Sequence, residues 1–325
     1  MHCLRIFAAL LFAGVFMPGP TSAQNAYPTR PITLIVPYGA GGAVDAVARV
    51  VADGLRKEIG QPVVVDNRAG ANGLLGMRGA ATAEPDGYTL ILSSESNHIV
   101  LPLLDAKFPL DVAKEFTPIS LSGQFQHALI VKTTMPVKSV KELVDYMKAN
   151  VGKLSFGSSG IGTVAHIAGE LLSKETGAQM VHVPYRSSPA ALNDLLGGNL
   201  DVNFQSIPAL RSFTDNPNVR ILAVLSSERL KEMPDIPTMA ESGFPTFVLS
   251  SWMGVFGPGA LPAPIRDKLS AALVKVGTDP EVLTRIRGAG IEPVGIDAAA
   301  FARYLDAETK KWKSFVDRTG ISLIP

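Results

Sequence analysis

Two glycine-rich turns, more than a hundred residues apart, constrain this chain more than any other feature of its sequence. Each turn, Tyr38–Asp45 and Ser158–Thr163, follows a short apolar run and precedes a stretch with helical periodicity. The first N–H groups of a helix lack intrahelical partners and lie at the positive end of its dipole, so a helix start attracts anions. Glycines leave that backbone open to a ligand. The two turns therefore predict two half-sites, one in each of two domains, that hold one anion between them.

The order of apolar patterns is typical of α/β architecture. The branched run Ile32–Val36 precedes the helical spacing of Val44–Ile59, which predicts β-α-β-α-β units and a mostly parallel sheet. The same order begins again at Leu129–Lys132, and 325 residues suit two such domains. The other predicted strands are Val63–Val65, Tyr88–Leu92, Leu154–Phe156, Met180–Val183, Val202–Phe204 and Arg220–Val224, and the other predicted helices are Leu74–Ala83, Ser139–Asn150, Thr163–Thr176, Pro189–Leu196, Ala263–Val276, Glu281–Ala289 and Ala298–Thr319.

The N-terminus predicts export. Met1–Arg5 is positively charged, Ile6–Met17 is almost wholly apolar, and the small residues Thr21–Ala23 suit cleavage after Ala23, as in a secretory signal peptide over residues 1–23. The apolar run is shorter than the roughly 20 residues of a membrane span, so no membrane anchor is expected in the mature chain. The one cysteine, Cys3, leaves with this leader, which excludes disulfides and a thiolate nucleophile. We expect a soluble protein in a bacterial periplasm.

The charge balance disfavours nucleic acid as a partner. The chain has 30 basic and 29 acidic residues, and loss of Arg5 with the leader makes the mature chain formally neutral. Binding to a phosphate backbone requires a cluster of basic side chains. The nearest such run, Lys310–Lys313, is better interpreted as the solvated face of an amphipathic helix.

Motifs for catalysis, cofactors and metals are incomplete. Gly160–Ala165 fits a dinucleotide fingerprint but lacks the acidic residue expected about 20 positions later. Gly157–Ile161 lacks the last glycine of a hydrolase nucleophile elbow, so Ser158 and Ser159 are interpreted either as hydroxyl donors to an anion or as turn residues. His166 and Glu170 stand one helical turn apart, without a third ligand for a metal. We predict no catalytic residues, no metal and no cofactor.

Asp45 lies in the first turn of its helix, just after two glycines. A carboxylate there is favourable simply as a charge at a helix start. It can also hold the glycine turn so that backbone amides face a ligand. Because direct contact with an anion would be repulsive, we favour this organising role.

With these residues in view, the chain from Tyr27 to its C-terminus resembles the Bug family, the periplasmic substrate-binding receptors of tripartite tricarboxylate transporters. Each motif is weak alone, but their common order is specific. The motifs are Val36-Pro37-Tyr38-x-x-Gly41-Gly42-x-x-Asp45, Asp66-Asn67-Arg68-x-Gly70-Ala71, Pro85-Asp86-Gly87-Tyr88-Thr89-Leu90, Glu115-Phe116-Thr117-Pro118-Ile119, Gly157-Ser158-x-Gly160-x-Gly162-Thr163-x-x-His166, Val183-Pro184-Tyr185-Arg186, Pro237–Gly243 and Ser251-Trp252.

The resemblance implies an α/β, two-lobed periplasmic-binding-protein fold (a Venus flytrap, type II-like) with the ligand in the cleft between the lobes. We expect residues 24–122 and 226–325 in lobe 1 and residues 123–225 in lobe 2. In that family the two glycine-rich turns hold one carboxylate of the ligand, partly through ordered water. Family ligands are small carboxylates, including di- and tricarboxylates, amino acids and aromatic acids. The implied function is a receptor, not an enzyme, that serves a membrane permease. The alternatives are an exported enzyme acting on a similar acid and a ligand receptor for a sensor protein.

The chain departs from the family pattern at three places. Ala40 replaces a usual proline, Arg186-Ser187 replaces Lys-Gly, and Gln205 stands where aspartate is common. An amide at position 205, if it faced the cleft, would change ligand preference. Tyr38, Tyr185 and Phe204 are predicted to form walls of the site. The predicted ligand-binding residues are Tyr38, Gly39, Ala40, Gly41, Gly42, Asp45, Ser94, Ser158, Ser159, Gly160, Thr163, Tyr185 and Gln205.

Overall fold

The computed structural model describes residues 27–214 and 216–322, and the predicted leader lies outside them. The strands are β1 (Ile32–Val36), β2 (Val63–Asn67), β3 (Thr89–Ser94), β4 (Phe116–Lys132), β5 (Ser155–Ser158), β6 (Val181–Pro184), β7 (Val202–Ser206), β8 (Val219–Val224), β9 (Ser250–Pro258) and β10 (Glu292–Ile296). The helices are α1 (Ala43–Ile59), α2 (Leu74–Ala81), α3 (Leu101–Leu104), α4 (Val112–Glu115), α5 (Val140–Ala149), α6 (Val164–Thr176), α7 (Ser188–Leu196), α8 (Ile207–Leu210), α9 (Ala263–Val276), α10 (Pro280–Gly288) and α11 (Ala298–Thr319).

Lobe 1 is built on the strand order β2-β1-β3-β9-β4-β10. Side chains of β1 alternate between the two faces of this sheet, as in any strand. Ile32, Leu34 and Val36 pack in one cluster with α1 and α9, whereas Ile35 belongs to the cluster that holds Met77 of α2. Both faces are apolar, which explains why β1 reads as a continuous branched run rather than as an alternating one.

Lobe 2 is built on the order β6-β5-β7-β4-β8. The strand β4 belongs to both lobes, because it pairs with β9 up to Gln126 and with β7 from His127 onward. The segment 225–249 returns the chain from β8 to β9 and forms the second connection. The two-lobed α/β fold predicted from the resemblance is thus confirmed.

Most predicted elements lie within two residues of the observed ones. The structure gives β1, α9 and α11 the predicted bounds. Ser139 caps the start of α5, because its hydroxyl accepts a hydrogen bond from the Glu142 N–H at 3.2 Å.

Three expectations about the sheets need correction. The strand predicted to begin at Leu129 begins at Phe116 and runs for 17 residues, since one strand serves two sheets. The sheets are not mostly parallel, because β9 and β10 and both halves of β4 pair in the antiparallel sense. Neither β9 nor β10 was predicted. Among the described residues, no helix has the length and apolar character needed to cross a membrane.

Candidate functional site

A cavity of about 60 Å³ lies between the lobes, at the point where α1 and α6 begin. We call it the inner cavity. Gly42, Ala43 and Val44 line it from lobe 1, and Thr163 and Val164 line it from lobe 2. An outer cavity of about 500 Å³ shares Tyr38, Ser96, Ser159 and Thr163 with it. The two helix starts predicted to form half-sites therefore meet at one place.

The lobes touch each other around this cavity. A Cβ built on Gly39 would lie 3.1 Å from the carbonyl oxygen of Arg186, so only glycine allows this approach without displacement of a neighbour. Elsewhere, the Arg211 guanidinium donates a hydrogen bond of 2.7 Å to the carbonyl oxygen of Arg287 on lobe 1. The two lobes are therefore in direct contact.

The first turn presents unpaired amides to the inner cavity. Gly42 is the N-cap of α1 and supplies no side-chain cap. Within the part of the chain that the structure describes, no group accepts a hydrogen bond from the N–H of Ala43 or Val44. Gly41 has a φ of +84°, in the left-handed region that favours glycine. This backbone path aims the start of α1 at the cavity.

The carboxylate of Asp45 holds the first glycine-rich turn in place through hydrogen bonds. Its Oδ2 accepts a hydrogen bond of 2.9 Å from the N–H of Gly41, and Arg49 and Asn67 donate to the same carboxylate. Burial raises the pKa of Asp45, but these hydrogen bonds outweigh burial and hold the pKa below its usual value. Asp45 does not line either cavity. Its contacts support the organising role.

We predict that Asp45→Ala destabilises the protein by about 1–2 kcal/mol, because it leaves the Gly41 N–H and one N–H of the Asn67 amide without an acceptor. Asp53→Ala on the same helix is the matched control, since Asp53 makes exposed ion pairs with Arg56 and Arg285. Exposed pairs contribute about 0–1 kcal/mol. Urea unfolding measures both variants, and equal losses would contradict the role assigned to Asp45.

The second turn is held by side chains that fold back on it. The Ser158 hydroxyl accepts a hydrogen bond of 3.1 Å from the Gly160 N–H, and His166 Nδ1 accepts one of 3.2 Å from the Gly162 N–H. The Thr163 hydroxyl donates to the Gly160 carbonyl oxygen at 2.7 Å. Burial and the neighbouring His182 lower the pKa of His166 to about 3, so His166 stays neutral and can accept.

Ser158 and Ser159 therefore differ in position. Ser158 is buried and bonded within the turn, whereas Ser159 lines both cavities. His166 Nε2 lies 3.8 Å from Glu170 Oε1, and no metal-binding group of three or more His, Cys, Asp or Glu occurs among the described residues.

Some of the other predicted site residues line one of the two cavities, and the rest line neither. Tyr38, Gly39, Gly42, Ser94 and Thr163 line the inner cavity, and Gly160 and Tyr185 line the outer one. The Tyr38 hydroxyl bonds to Ser94 Oγ at 2.7 Å, and burial raises the Tyr38 pKa. The predicted residues that line neither cavity are Ala40, Gly41, Asp45, Ser158 and Gln205.

The register of β7 decides which of its polar residues reaches the inner cavity. Gln205 donates its amide to the Ser188 carbonyl oxygen at 3.0 Å, and the next residue, Ser206, lines the cavity instead. Phe204 lies in the core against Phe156 rather than at a wall of the site.

Sequence reasoning missed several residues of the inner cavity, and three of them, Glu95, His127 and Ser251, form a hydrogen-bonded group. The Ser251 hydroxyl donates to Glu95 Oε1 and lies against His127 Nε2, both at 2.8 Å. Glu95 Oε2 accepts the Trp252 N–H at 2.9 Å. Burial raises the pKa of Glu95 to about 7, although both hydrogen bonds lower it. A usable signal for Glu95 was its place in a polar run after β3, because ligands often lie beyond the carboxyl ends of strands.

Comparisons with known proteins identify the family and match the fold. The family described as tripartite tricarboxylate transporter family receptor matches residues 47–321. Protein BugT of Bordetella pertussis is 35% identical over 326 residues, which cover 99% of this chain and 100% of BugT. The structure of R. palustris Rpa4515 with adipate is 31% identical, with a TM-score of 0.86 over 91% of this chain and 99% of that one. MatC from Rhodopseudomonas palustris with bound malate is 30% identical, with a TM-score of 0.84 over 89% and 100% of the two chains.

Proposed function

Because the chain belongs to the tripartite tricarboxylate transporter receptor family, we propose that it captures a small organic carboxylate between its lobes and delivers it to a membrane permease. The observation that carries the proposal is the meeting of two helix starts at one cavity. Both helices, of 17 and 13 residues, are long enough to carry a full terminal dipole.

The proposed mechanism is capture by closure. In the open form, water would solvate both turns and the anion. When the lobes close, the N–H groups at the starts of α1 and α6 replace that water as hydrogen-bond donors. The lining of the inner cavity contains no Arg or Lys. Backbone dipoles therefore supply the attraction, and each half-site alone should bind weakly.

The proposed place of action is the periplasm, and the proposed partner is the permease of a tripartite tricarboxylate transporter. The N-terminal sequence of residues 1–23 supports export. The family description supports the transport role. Adipate and malate, bound by the two structural relatives, support a carboxylate as the ligand class.

Thermal shift tests the proposal. The chain from Gln24 is produced, freed of carried ligand by unfolding and refolding, and heated with di-, tri-, amino, hydroxy and aromatic acids. A ligand at 100 times its Kd adds about 2.7 kcal/mol, which raises Tm by a few degrees. The methyl ester of each active monocarboxylate is the control, and we expect it to give no shift. No shift with any acid, or an equal shift with the ester, would contradict the proposal.

A further inference from the structure

One wall of the inner cavity is formed by Glu95, His127, Ser206 and Ser251, which we call the acceptor cluster. They come from the turn after β3 and from β4, β7 and β9. Glu95 is 1% exposed, Ser206 3% and His127 6%. Buried polar atoms in proteins are nearly always hydrogen-bonded, so an unpartnered one at a cavity points to a ligand group.

Two atoms of the acceptor cluster lack partners among the described residues: His127 Nδ1 and Ser206 Oγ. Above pH 7, where Glu95 is ionised, its Oε1 accepts a hydrogen bond from the Ser251 hydroxyl, so Ser251 Oγ accepts in turn from the Nε2–H of His127. This fixes the tautomer of His127 and leaves Nδ1 as a lone-pair acceptor. Burial lowers the pKa of His127 to about 3, which keeps the ring neutral. His127 Nδ1 is therefore a hydrogen-bond acceptor without a partner among the described residues, and a ligand could supply the donor.

The charge of the acceptor cluster also favours a hydrogen-bond donor on the ligand. Glu95 is the only Asp or Glu in the lining of the inner cavity, and no Arg or Lys lines it. A second carboxylate placed here would meet a buried acid and no cation, which is strongly unfavourable. A hydroxyl or ammonium group would instead give His127 and Glu95 a hydrogen-bond donor.

We propose that the inner cavity selects a carboxylate whose other end is a hydrogen-bond donor, either a hydroxyl or an ammonium group. This inference rests on the proposed function, because it takes the helix starts to hold the carboxylate. Acids that end in a methyl group or a second carboxylate are rejected, since neither satisfies the acceptor cluster.

Matched acids test the proposal by calorimetric titration of the ligand-free protein. The three-carbon set is propionate, 3-hydroxypropionate, 3-aminopropionate and malonate, and the four-carbon set is butyrate, 4-hydroxybutyrate, 4-aminobutyrate and succinate. We expect a donor-ended acid to bind roughly 10- to 100-fold more tightly than its methyl-ended partner, the usual effect of a buried acceptor left unpaired. The hydroxyl and ammonium members show which donor is preferred.

Ser206→Ala and Glu95→Gln test whether the acceptor cluster causes that preference. Ser206→Ala removes the unpartnered hydroxyl, and Glu95→Gln removes the charge while keeping the shape. We expect either change to lower the affinity ratio of donor-ended to methyl-ended acid several-fold, with the affinity for the methyl-ended acid unchanged. A purely structural effect would weaken both acids alike. Ser227→Ala, at an exposed serine, is the matched control and should keep the ratio.

The outcomes separate the two proposals. Binding of acids without preference for a donor, or a preference for malonate or succinate, overturns the inference and leaves the carboxylate receptor intact. An unchanged ratio in both cavity variants also overturns it. Failure of every acid to bind overturns the proposed function, and the inference with it.

Discussion

Ser159→Asp is expected to weaken carboxylate binding about a thousandfold. Ser159 lines both cavities beside the start of α6, so an aspartate there would lie close to the bound carboxylate. Two like charges about 4 Å apart at an effective dielectric constant of 20 repel by about 4 kcal/mol, which is about a thousandfold in Kd. Calorimetric titration with the acid that gives the largest thermal shift measures the change.

Ser159→Asn is the matched control, because asparagine has the shape of aspartate without its charge. We expect it to bind within about tenfold of the unmodified protein, since the net value of a single hydrogen bond is about 1 kcal/mol. The Tm of both ligand-free variants should match that of the unmodified protein, because Ser159 lies at a turn. Equal affinities of the Asp and Asn variants would mean that the carboxylate lies elsewhere.

A fall in pH from 7.5 to 5.5 is expected to destabilise the ligand-free protein, although ordinary carboxylates take up few protons in this range. Burial lowers the pKa of His98, His127 and His166 to about 3 and that of His182 to about 4, whereas each titrates near 6.5 when unfolded. The folded state does not take up these protons in this range, so their contribution is complete above pH 6.5 and is lost as pH falls below it. Each contributes a loss of about 1.4 kcal/mol between pH 7.5 and 5.5, and the four together contribute about 6 kcal/mol.

Glu95 opposes this loss. Its pKa is raised by burial to about 7 from 4.5, so the folded state takes up a proton between these values and gains stability as pH falls. The gain is about 2 kcal/mol over the same interval, which leaves a net loss of about 4 kcal/mol. Glu95→Gln removes the gain, so we expect the variant to lose about 6 kcal/mol where the unmodified protein loses about 4 kcal/mol.

Urea unfolding at pH 7.5 and 5.5 measures both losses. His98 provides a separate check, because it packs on Phe256 with its ring centroid 3.7 Å away and does not line the inner cavity. His98→Leu should reduce the loss by about 1.4 kcal/mol without changing carboxylate affinity at pH 7.5. A stability that is equal at the two pH values in all three proteins would contradict the assigned titrations.

Local patterns were enough to predict much of the fold. The branched run of β1 and the helical spacing of α1 identify a strand and a helix because both periodicities are set by residues close in the chain. The strand β9 was missed because Gly254 and Gly257 and its serines weaken the strand pattern. What makes it a strand is its pairing with β3 and β4, which no local signal reports.

The difference between local signals and contacts of distant residues also explains which parts of the site the sequence predicted. The glycine turns carry their own chemistry, so the sequence located both helix starts. The acceptor cluster is formed by distant parts of the chain: the Ser251 hydroxyl meets residues 124 and 156 positions away. Ser206 lines the inner cavity in place of the predicted Gln205 because of strand register. Neighbouring residues of a strand point to opposite faces, so a shift of one residue moves a side chain to the other face. Only the folded sheet fixes that register.

A crystal structure of the protein with its tightest-binding acid tests the central claim most directly. The decisive quantity is the distance from the carboxylate oxygens of the ligand to the N–H groups at the two helix starts. We expect a carboxylate within about 3.2 Å of the N–H of Ala43 or Val44, directly or through one ordered water, and likewise of Val164 on the opposite lobe. A carboxylate bound by one lobe alone, or held by a cationic side chain away from both turns, would contradict it.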